Sequence, residues 1–210
     1  MSEASIRKKI VLANKKAGRI LGRQMDVYRP LQLNNALSPA NFVFSQPAAF
    51  SVSENFQANQ GDKFKPYIVY TDNSRVEVGD IFSDDTETFV ITSNRGVENV
   101  IAYKATNIIE VQRVGYPSNP GAGAFEQTVE TVIRNLPASV TGLSSTTENN
   151  IPVANASGPV RRFEVRIWST ANGILTTDNI KLDDGTYLRI DSISDSIESQ
   201  TLICTEVKER

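Results

Sequence analysis

In the run Arg162-Phe163-Glu164-Val165-Arg166-Ile167-Trp168, polar and apolar side chains alternate as far as Ile167. A period of two residues is typical of a β-strand that buries one face, which here is made by every second residue from Phe163. Downstream, the turn Asp183-Asp184-Gly185 separates two further strand patterns, and an Asp-Gly pair favours a tight hairpin. A closing run of apolar and β-branched residues follows at 201–207. These patterns predict a compact antiparallel unit over residues 161–210.

The region 66–114 has the same texture. Tyr67-Ile68-Val69-Tyr70 is aromatic and β-branched, as strands tend to be. Alternating or apolar runs separated by acidic turns follow at 75–82 and 88–91, and two more strand patterns follow before Val114. Five short strands at close, even spacing predict a small barrel.

The N-terminal residues follow a helical period instead. Apolar residues recur at spacings of three and four from Ile6 to Leu21, which predicts an amphipathic helix over about Glu3–Leu21. Ser2 is suited to cap its start. Gly22 is suited to end it, because glycine readily adopts the left-handed conformation found after helices. Basic residues occupy most of the remaining helix surface.

The remaining segments are predicted to connect these units. Residues 25–65 are interrupted by prolines, which disfavour long regular elements and indicate an ordered, extended wrapping connector. A Pro/Gly/Ala-rich run after Val114 indicates a domain boundary, and Phe125–Asn135 has the spacing of a short helix. The predicted fold class is mainly β, an N-terminal amphipathic helix plus two small antiparallel SH3-like β-barrel units. Its parts are a basic amphipathic helix at 1–24, the connector at 25–65, a first barrel unit at 66–114, linker and loop at 115–160, and a second barrel unit at 161–210.

The absence of histidine restricts the chemistry of the chain. Histidine is the usual general base near neutral pH and the commonest metal ligand, so Ser-His-Asp, Cys-His and His-based zinc sites are excluded. The single Cys204 cannot form a disulfide within the chain. The acidic residues Asp178, Asp183 and Asp184 lack the spacing of a calcium loop. Carboxylate-only or lysine-based chemistry remains open, but the sequence shows no carboxylate pair that would indicate it. We therefore predict a protein that is not an enzyme and that uses no cofactor and no metal.

No part of the sequence predicts a membrane location. No run approaches the roughly 20 apolar residues that a membrane helix needs. The apolar run 10–13 is too short for the core of a signal peptide. We expect a protein made in the cytoplasm that has no contact with membrane.

Charge is unevenly distributed along the chain. Residues 1–29 hold eight basic and two acidic side chains, a local charge of +6, so the rest carries −8 because the net charge is −2. Such polarity suits an assembly in which copies or partners meet head to tail, although a solvated basic helix on an acidic body explains it as well.

The two strand-rich units also share the order of their strand patterns and turns. Val78-Gly79-Asp80-Ile81, an acidic turn, Phe89-Val90-Ile91 and a closing strand at 108–111 correspond to three strand patterns and a turn in the second unit. The counterparts are Thr177–Ile180, Tyr187–Ile190 and Leu202–Thr205. Either an internal duplication or the sequence pattern common to β-hairpins in general accounts for this order.

The second unit resembles a known family of proteins. The run Thr177-Asp178-Asn179-Ile180, then 183–193 with its Asp-Gly-Thr-Tyr hairpin, then Leu202–Val207, is similar to the small β-barrel of head-closure (stopper) and neck proteins of tailed bacteriophages. The early segment Asp26–Pro30 and the later Gly79-Asp80 resemble proteins of phage structural modules. The resemblance implies a virion protein of the head–tail connection that forms a ring under the portal and carries no catalytic residues.

This hypothesis assigns the N-terminal helix to partner binding. Its expected partners are other virion proteins, namely a portal or adaptor ring and a tail terminator or tube, with non-specific contact to genomic DNA as an alternative use of the basic residues. A tail, baseplate or capsid-surface role and a non-viral β-rich binding module remain open. The residues expected to dock an acidic partner are Arg7, Lys8, Lys15, Lys16 and Arg19, and those expected to make apolar contact are Ile6, Ile10 and Ile20.

Overall fold

The computed structural model describes residues 3–52, 64–95, 99–115, 128–143, 161–168, 173–196 and 199–207. Within them the chain is mainly β, with an N-terminal helix and two closed six-stranded barrels, as the sequence predicted in outline. The helix α1 spans Glu3–Leu21, the predicted range. Pro39–Asn41 and Asn73–Arg75 form single 3-10 turns.

The first barrel is built from six antiparallel strands in the order β1-β2-β3-β6-β5-β4. Its hydrophobic centre contains Met25, Phe44, Phe82, Phe89 and Ile91, all of which are buried. The strands are β1 Arg23–Tyr28, β2 Phe42–Val52, β3 Pro66–Tyr70, β4 Ile81–Ser83, β5 Thr88–Ser93 and β6 Val100–Ala105.

The second barrel repeats this arrangement. Its order, β7-β8-β9-β12-β11-β10, is that of the first barrel with every strand number raised by six. The fifth strand of each barrel also shifts register against the sixth after its fourth residue, at Ile91 and at Ile190. The strands are β7 Asn107–Gly115, β8 Thr128–Leu143, β9 Arg162–Ile167, β10 Asp178–Lys181, β11 Tyr187–Asp195 and β12 Gln200–Val207.

Strand membership differs from the predicted ranges. β1 and β2 lie in the segment predicted as a connector, so the first barrel begins at Arg23. Residues 53–63 of that segment lie outside the described residues. β7, predicted to close the first unit, opens the second, so only Thr106 separates the barrels. The third correspondence of the predicted repeat was therefore wrong, because the closing strand of the first barrel is β6.

The helix predicted over Phe125–Asn135 was wrong for the residues that the structure describes. From Thr128 onward this segment is the long strand β8. In the pairing of β7 with β8, the two residue steps from Ile109 to Val111 lie opposite three steps on β8. A second register shift follows between Val111 and Gln112. Such bulges break the strict two-residue period of a strand, so the apolar spacing of β8 imitates that of a helix.

The barrels are packed against each other through an aromatic contact. Trp168 stacks on Tyr103 with ring centroids 3.6 Å apart and planes at 11°. The Trp168 Nε1–H donates to Ser139 Oγ at 3.0 Å, and that hydroxyl donates to the carbonyl of Lys104 at 2.6 Å. The segment between β1 and β2 also crosses to the second barrel, where the Asn35 N–H donates to the Arg134 carbonyl at 2.8 Å.

Candidate functional site

Helix α1 lies on the first barrel through its smallest residues. A Cβ on Gly18 would stand 2.5 Å from the Tyr70 carbonyl oxygen, and one on Gly22 would stand 2.5 Å from the Ala48 carbonyl carbon. The helix therefore rests on the backbones of β2 and β3. Gly22 ends the helix as predicted but for another reason, since it is not among the described glycines with positive φ. Its small size permits the close approach.

The predicted apolar stripe is for the most part not the face that packs. Ile6 and Ile20 are 44% and 67% exposed, while Ile10 is half-buried. Leu12, which sequence reasoning did not select, is 56% exposed. Asn14, a polar residue, is buried against the barrel instead. The outward surface of α1 therefore carries large apolar side chains that contact water in the isolated chain.

The predicted docking cations separate into two groups. Lys8, Lys16 and Arg19 are exposed and have no ion-pair or hydrogen-bond partner among the described residues. Lys15 is different because its Nζ donates to Asp72 Oδ2 at 2.5 Å, which ties the helix to its own barrel. The side chain of Arg7 lies outside the described residues.

The Lys15–Asp72 pair lowers the pKa of the Asp72 carboxyl. The hydrogen bond from Lys15 is the main cause, and a hydrogen bond from Ser74 acts in the same direction. Asp72 stays ionised at neutral pH and holds Lys15 beside the barrel. Lys15 thus has a structural role that its sequence position did not reveal.

A small cavity lies beside this pair, between α1 and the first barrel. Its volume is about 180 Å³. Gln46 of β2 is among its lining residues; this residue is 5% exposed, and neither amide atom is hydrogen-bonded among the described residues. The lining residues, which we call the basic cavity, are Lys15, Arg19, Ser45, Gln46, Pro47, Asp72 and Arg75.

Arg75 is held in position at the wall of the basic cavity. Its guanidinium carbon lies 3.9 Å from the centroid of the Phe44 ring, a cation–π contact. Its carbonyl accepts a hydrogen bond from Arg29 Nη2 at 3.0 Å. One signal in the sequence pointed to this site, since Gln46 is the polar residue in the inward-facing series Phe44, Gln46, Ala48 of β2.

Each barrel also contains a buried Arg–Asp pair at the equivalent place. Arg29 donates to both oxygens of Asp80 at 2.7 and 2.9 Å, and Arg113 donates to both oxygens of Asp178 at 2.7 and 2.8 Å. Both aspartates are fully buried. In both pairs the backbone N–H of the residue three positions before the aspartate, Glu77 or Leu175, donates to the carboxylate. The carbonyl of the residue five positions before it, Arg75 or Gly173, accepts a hydrogen bond from the arginine. The aspartate side chains are thus occupied by structural contacts.

These pairs raise the pKa of both arginines. The main cause is the side-chain hydrogen bond to Asp80 for Arg29, and to Asp178 for Arg113. Each pair ties the first strand of its barrel, or the residue after it, to the start of the fourth strand. The shared geometry supports the duplication hypothesis more strongly than the sequence did, because a six-stranded barrel does not by itself require an Arg–Asp pair at this place.

A larger groove lies between the two barrels. It has a volume of about 560 Å³, in the range of small-molecule sites. Leu31 at its edge is 95% exposed and Val78 is 63% exposed, while Trp168 and Ile81 form buried parts of its wall. Most of its lining residues have apolar side chains, but polar atoms make up about half of its accessible surface.

Nucleophilic and metal chemistry find little support in the described residues. Burial, and to a smaller degree the charge of Asp191, raises the pKa of the Cys204 thiol to about 12, so it stays protonated. The described residues contain no group of three or more Cys, Asp or Glu side chains placed to hold a metal. Across them, no helix is both long and apolar enough to span a membrane.

No family model, curated protein or solved structure matches this chain. The exposed face of α1, the basic cavity and the inter-barrel groove are therefore the features that bear on function.

Proposed function

We propose that this protein is a non-enzymatic structural component of the head–tail connection of a tailed bacteriophage. In this role it joins neighbouring virion proteins, such as the portal or adaptor ring and a tail component, and acts in a ring of its own copies. The proposal starts from the resemblance of the second unit to head-closure and neck proteins. The double-barrel body with a helix on its surface is compatible with it.

The outward face of α1 is the observation that carries the proposal. Ile6, Leu12 and Ile20 are exposed there beside the unpaired cations Lys8, Lys16 and Arg19. Large apolar side chains in a band with one sign of charge are typical of a surface that a partner covers. Charge complementarity identifies that partner as a protein with an acidic surface.

Charge reversal on this face is the direct test. The variant Lys8→Glu/Lys16→Glu/Arg19→Glu is expected to keep the circular dichroism spectrum of the wild type, because none of the three has a partner in the described chain. It is expected to block particle completion when it replaces the wild type during infection. The matched control is Lys65→Glu/Arg134→Glu/Arg162→Glu, which reverses three exposed cations elsewhere.

Normal particle yield with the helix variant would contradict the proposal, as would failure of both variants to an equal degree. Immunogold electron microscopy of particles locates the protein independently. Label at the junction of head and tail supports the connector role. Label at the tail tip or head surface indicates another structural role, and absence of label from all particles rejects a virion protein.

A second candidate function is that of a non-viral β-rich binding module. The groove between the barrels favours it, because its volume suits a small ligand and its wall combines apolar side chains with polar atoms. A screen of glycans and apolar ligands, read by the fluorescence of Trp168 in the groove wall, distinguishes the two. Saturable quenching without particle association supports the binding module.

A further inference from the structure

The element before the first strand packs at the same place on each barrel. A single residue joins α1 to β1 and β6 to β7, namely Gly22 and Thr106. The strand after it begins opposite Ala48 in the first barrel and opposite Ala138 in the second, and a proline precedes each alanine. Gly22 lies against the carbonyl group of Ala48, and the Thr106 N–H donates to the Ala138 carbonyl at 3.0 Å. The ends of α1 and β6 therefore contact equivalent backbone positions.

The next strand pair extends this equivalence to the side chains that hold the two elements. In β3 and β9, the residues paired with the positions after these alanines each lie two residues before such a side chain. It is Asp72 in the first barrel, where it binds Lys15 of α1. It is Trp168 in the second barrel, where it stacks on Tyr103 of β6. Helix α1 thus covers the first barrel where the first barrel covers the second. The surface beneath α1, which we call the cap face, is formed by Pro47, Ala48, Tyr70 and Asp72.

Helix α1 is only loosely packed on the cap face. Among the side chains of α1 that the structure describes, no large apolar one is fully buried, and Ile6, Leu12 and Ile20 are exposed. The buried residues are Asn14 and Gly18, and Nδ2 of Asn14 has no hydrogen-bond partner among the described residues. An element with few buried apolar contacts separates from its fold at low cost in free energy, so α1 is an exchangeable occupant.

The second barrel carries the counterpart of the surface with which the first barrel covers it. Aligning the fifth strands at their register shift makes Thr205 the counterpart of Tyr103, and Arg189 the counterpart of Val90 beside it. Tyr103 and Val90 are buried at the contact between the barrels. Thr205 is half-buried, Arg189 is exposed, and both bind Asp191. A guanidinium has five N–H donors, so Arg189 can keep this contact and bind a second carboxylate.

We propose that the cap face binds the second barrel of another copy of this chain, with Arg189 of that copy paired to Asp72. Docking in the way that the first barrel docks on the second brings Arg189 and Thr205 next to Asp72, which stands where Trp168 stands. A guanidinium and a carboxylate complement each other there, as the two aromatic rings do within the chain. Lys15 holds Asp72 in the isolated chain, so α1 leaves the cap face before the other copy binds.

This inference rests on the proposed function, since it names the surfaces through which copies in the proposed ring meet. The contact joins two different surfaces, and contacts of this kind close into rings or extend as filaments. A partner that binds the outward face of α1 draws the helix from the barrel and frees the cap face. Assembly of copies is thereby coupled to capture of α1.

Sedimentation velocity of the purified full chain over a range of concentrations tests the proposal. Lys15→Glu places a carboxylate against Asp72 and releases α1. The Kd for self-association is expected to fall at least about tenfold below that of the wild type, because a larger fraction of chains has a free cap face. Lys15→Glu/Arg189→Glu is expected to lose this gain. Lys65→Glu, which reverses an exposed cation of the first barrel outside the cap face, is the control and leaves the Kd unchanged.

A charge exchange separates the proposed pairing from non-specific adhesion of an uncovered barrel. Asp72→Arg is expected to stay monomeric although it releases α1, and Asp72→Arg/Arg189→Asp is expected to associate as tightly as Lys15→Glu. A wild-type Kd for Lys15→Glu would overturn the inference, as would association of Lys15→Glu that Arg189→Glu leaves intact. So would association of Asp72→Arg alone. These measurements need no virion partner, so their failure is distinct from a failure of the particle-completion test.

Discussion

Single glycines set how closely α1 lies on the first barrel. Gly18 and Gly22 are four residues apart on one helix face, and each stands where a side chain would meet the barrel backbone. This spacing was visible in the sequence, but the larger residues Ile6 and Ile20 suggested the opposite face for packing. Size decided the outcome, because only residues without a side chain allow the helix axis to approach the strands.

We expect Gly18→Ala to destabilise the protein by about 1–3 kcal/mol, because the new Cβ meets the Tyr70 carbonyl oxygen in a close-packed contact. Urea denaturation followed by circular dichroism measures the change. Gly142→Ala is the control, since nothing lies within 4 Å of a Cβ at that exposed strand position. Equal stability of Gly18→Ala and the wild type would mean that the helix does not rest on β3 as described.

Gln46 provides the opposite case, a residue whose replacement by an apolar one is expected to stabilise the folded protein. We expect Gln46→Leu to raise the free energy of unfolding by about 1–3 kcal/mol, because it replaces two unpartnered buried polar atoms with apolar ones next to Phe44 and Met25. The measurement is again urea denaturation, with Gln24→Leu at an exposed position of β1 as the control. A loss of stability would indicate that the amide has a partner within the folded chain.

At the scale of elements, α1 is anchored by a pH-dependent ion pair. The pKa of Asp72 is lowered in the folded state, so the pair contributes its full stability above the ordinary Asp pKa of about 3.9. That contribution is lost as the pH falls through the lower folded-state pKa. The anchoring of α1 therefore weakens in acid and not near neutrality.

The consequence is measurable with Asp72→Asn. We expect its melting temperature to lie below that of the wild type by a constant amount between about pH 5 and 8, and the difference to vanish toward about pH 2. Asp85→Asn, at an exposed turn position, is the control. A difference that grows on acidification would reverse the sign argued here.

At the scale of the whole molecule, the two barrels are joined by the short distance between β6 and β7 and by the stacking of Trp168 on Tyr103. Trp168→Ala is expected to lower the free energy of unfolding by about 3–5 kcal/mol, the usual cost of deleting a large buried aromatic side chain. Trp168→Phe retains an aromatic ring and loses mainly the hydrogen bond to Ser139, so it is expected to cost about 1 kcal/mol. Differential scanning calorimetry measures both, and equal effects would contradict a role for ring stacking.

Some secondary-structure elements could be predicted from the local sequence pattern and others could not. The bounds of α1 and the strand character of β3, β5 and β9 followed from periods of a few residues, which neighbouring side chains impose on each other. The same reasoning misassigned β8, because its bulges follow from pairing with β7 and not from its own residues. It also placed β1 and β2 in a connector and not in the first barrel, because Pro30, Pro39 and Pro47 interrupt the segment that holds them.

Some features of the candidate site could likewise be predicted from the sequence, and others required the folded structure. Composition identified the basic helix and excluded histidine chemistry, and three residues of the predicted docking set, Lys8, Lys16 and Arg19, are exposed. The pairing of Lys15 with Asp72 and the joining of Gln46 to Arg75 in one cavity could not be predicted locally. These residues are separated by tens of positions along the chain and meet only when the barrel closes.

The sequence by itself therefore determined the bounds of α1, the strand character of β3, β5 and β9, and the exclusion of histidine chemistry, because these depend on residue type and short-range spacing. Only the tertiary structure decided strand order, the matching Arg–Asp pairs at Asp80 and Asp178, and the face of α1 that stays exposed. The physical reason is that closure of a barrel brings distant backbones together. Steric fit and hydrogen-bond satisfaction at those contacts then outweigh the local preference of any one residue.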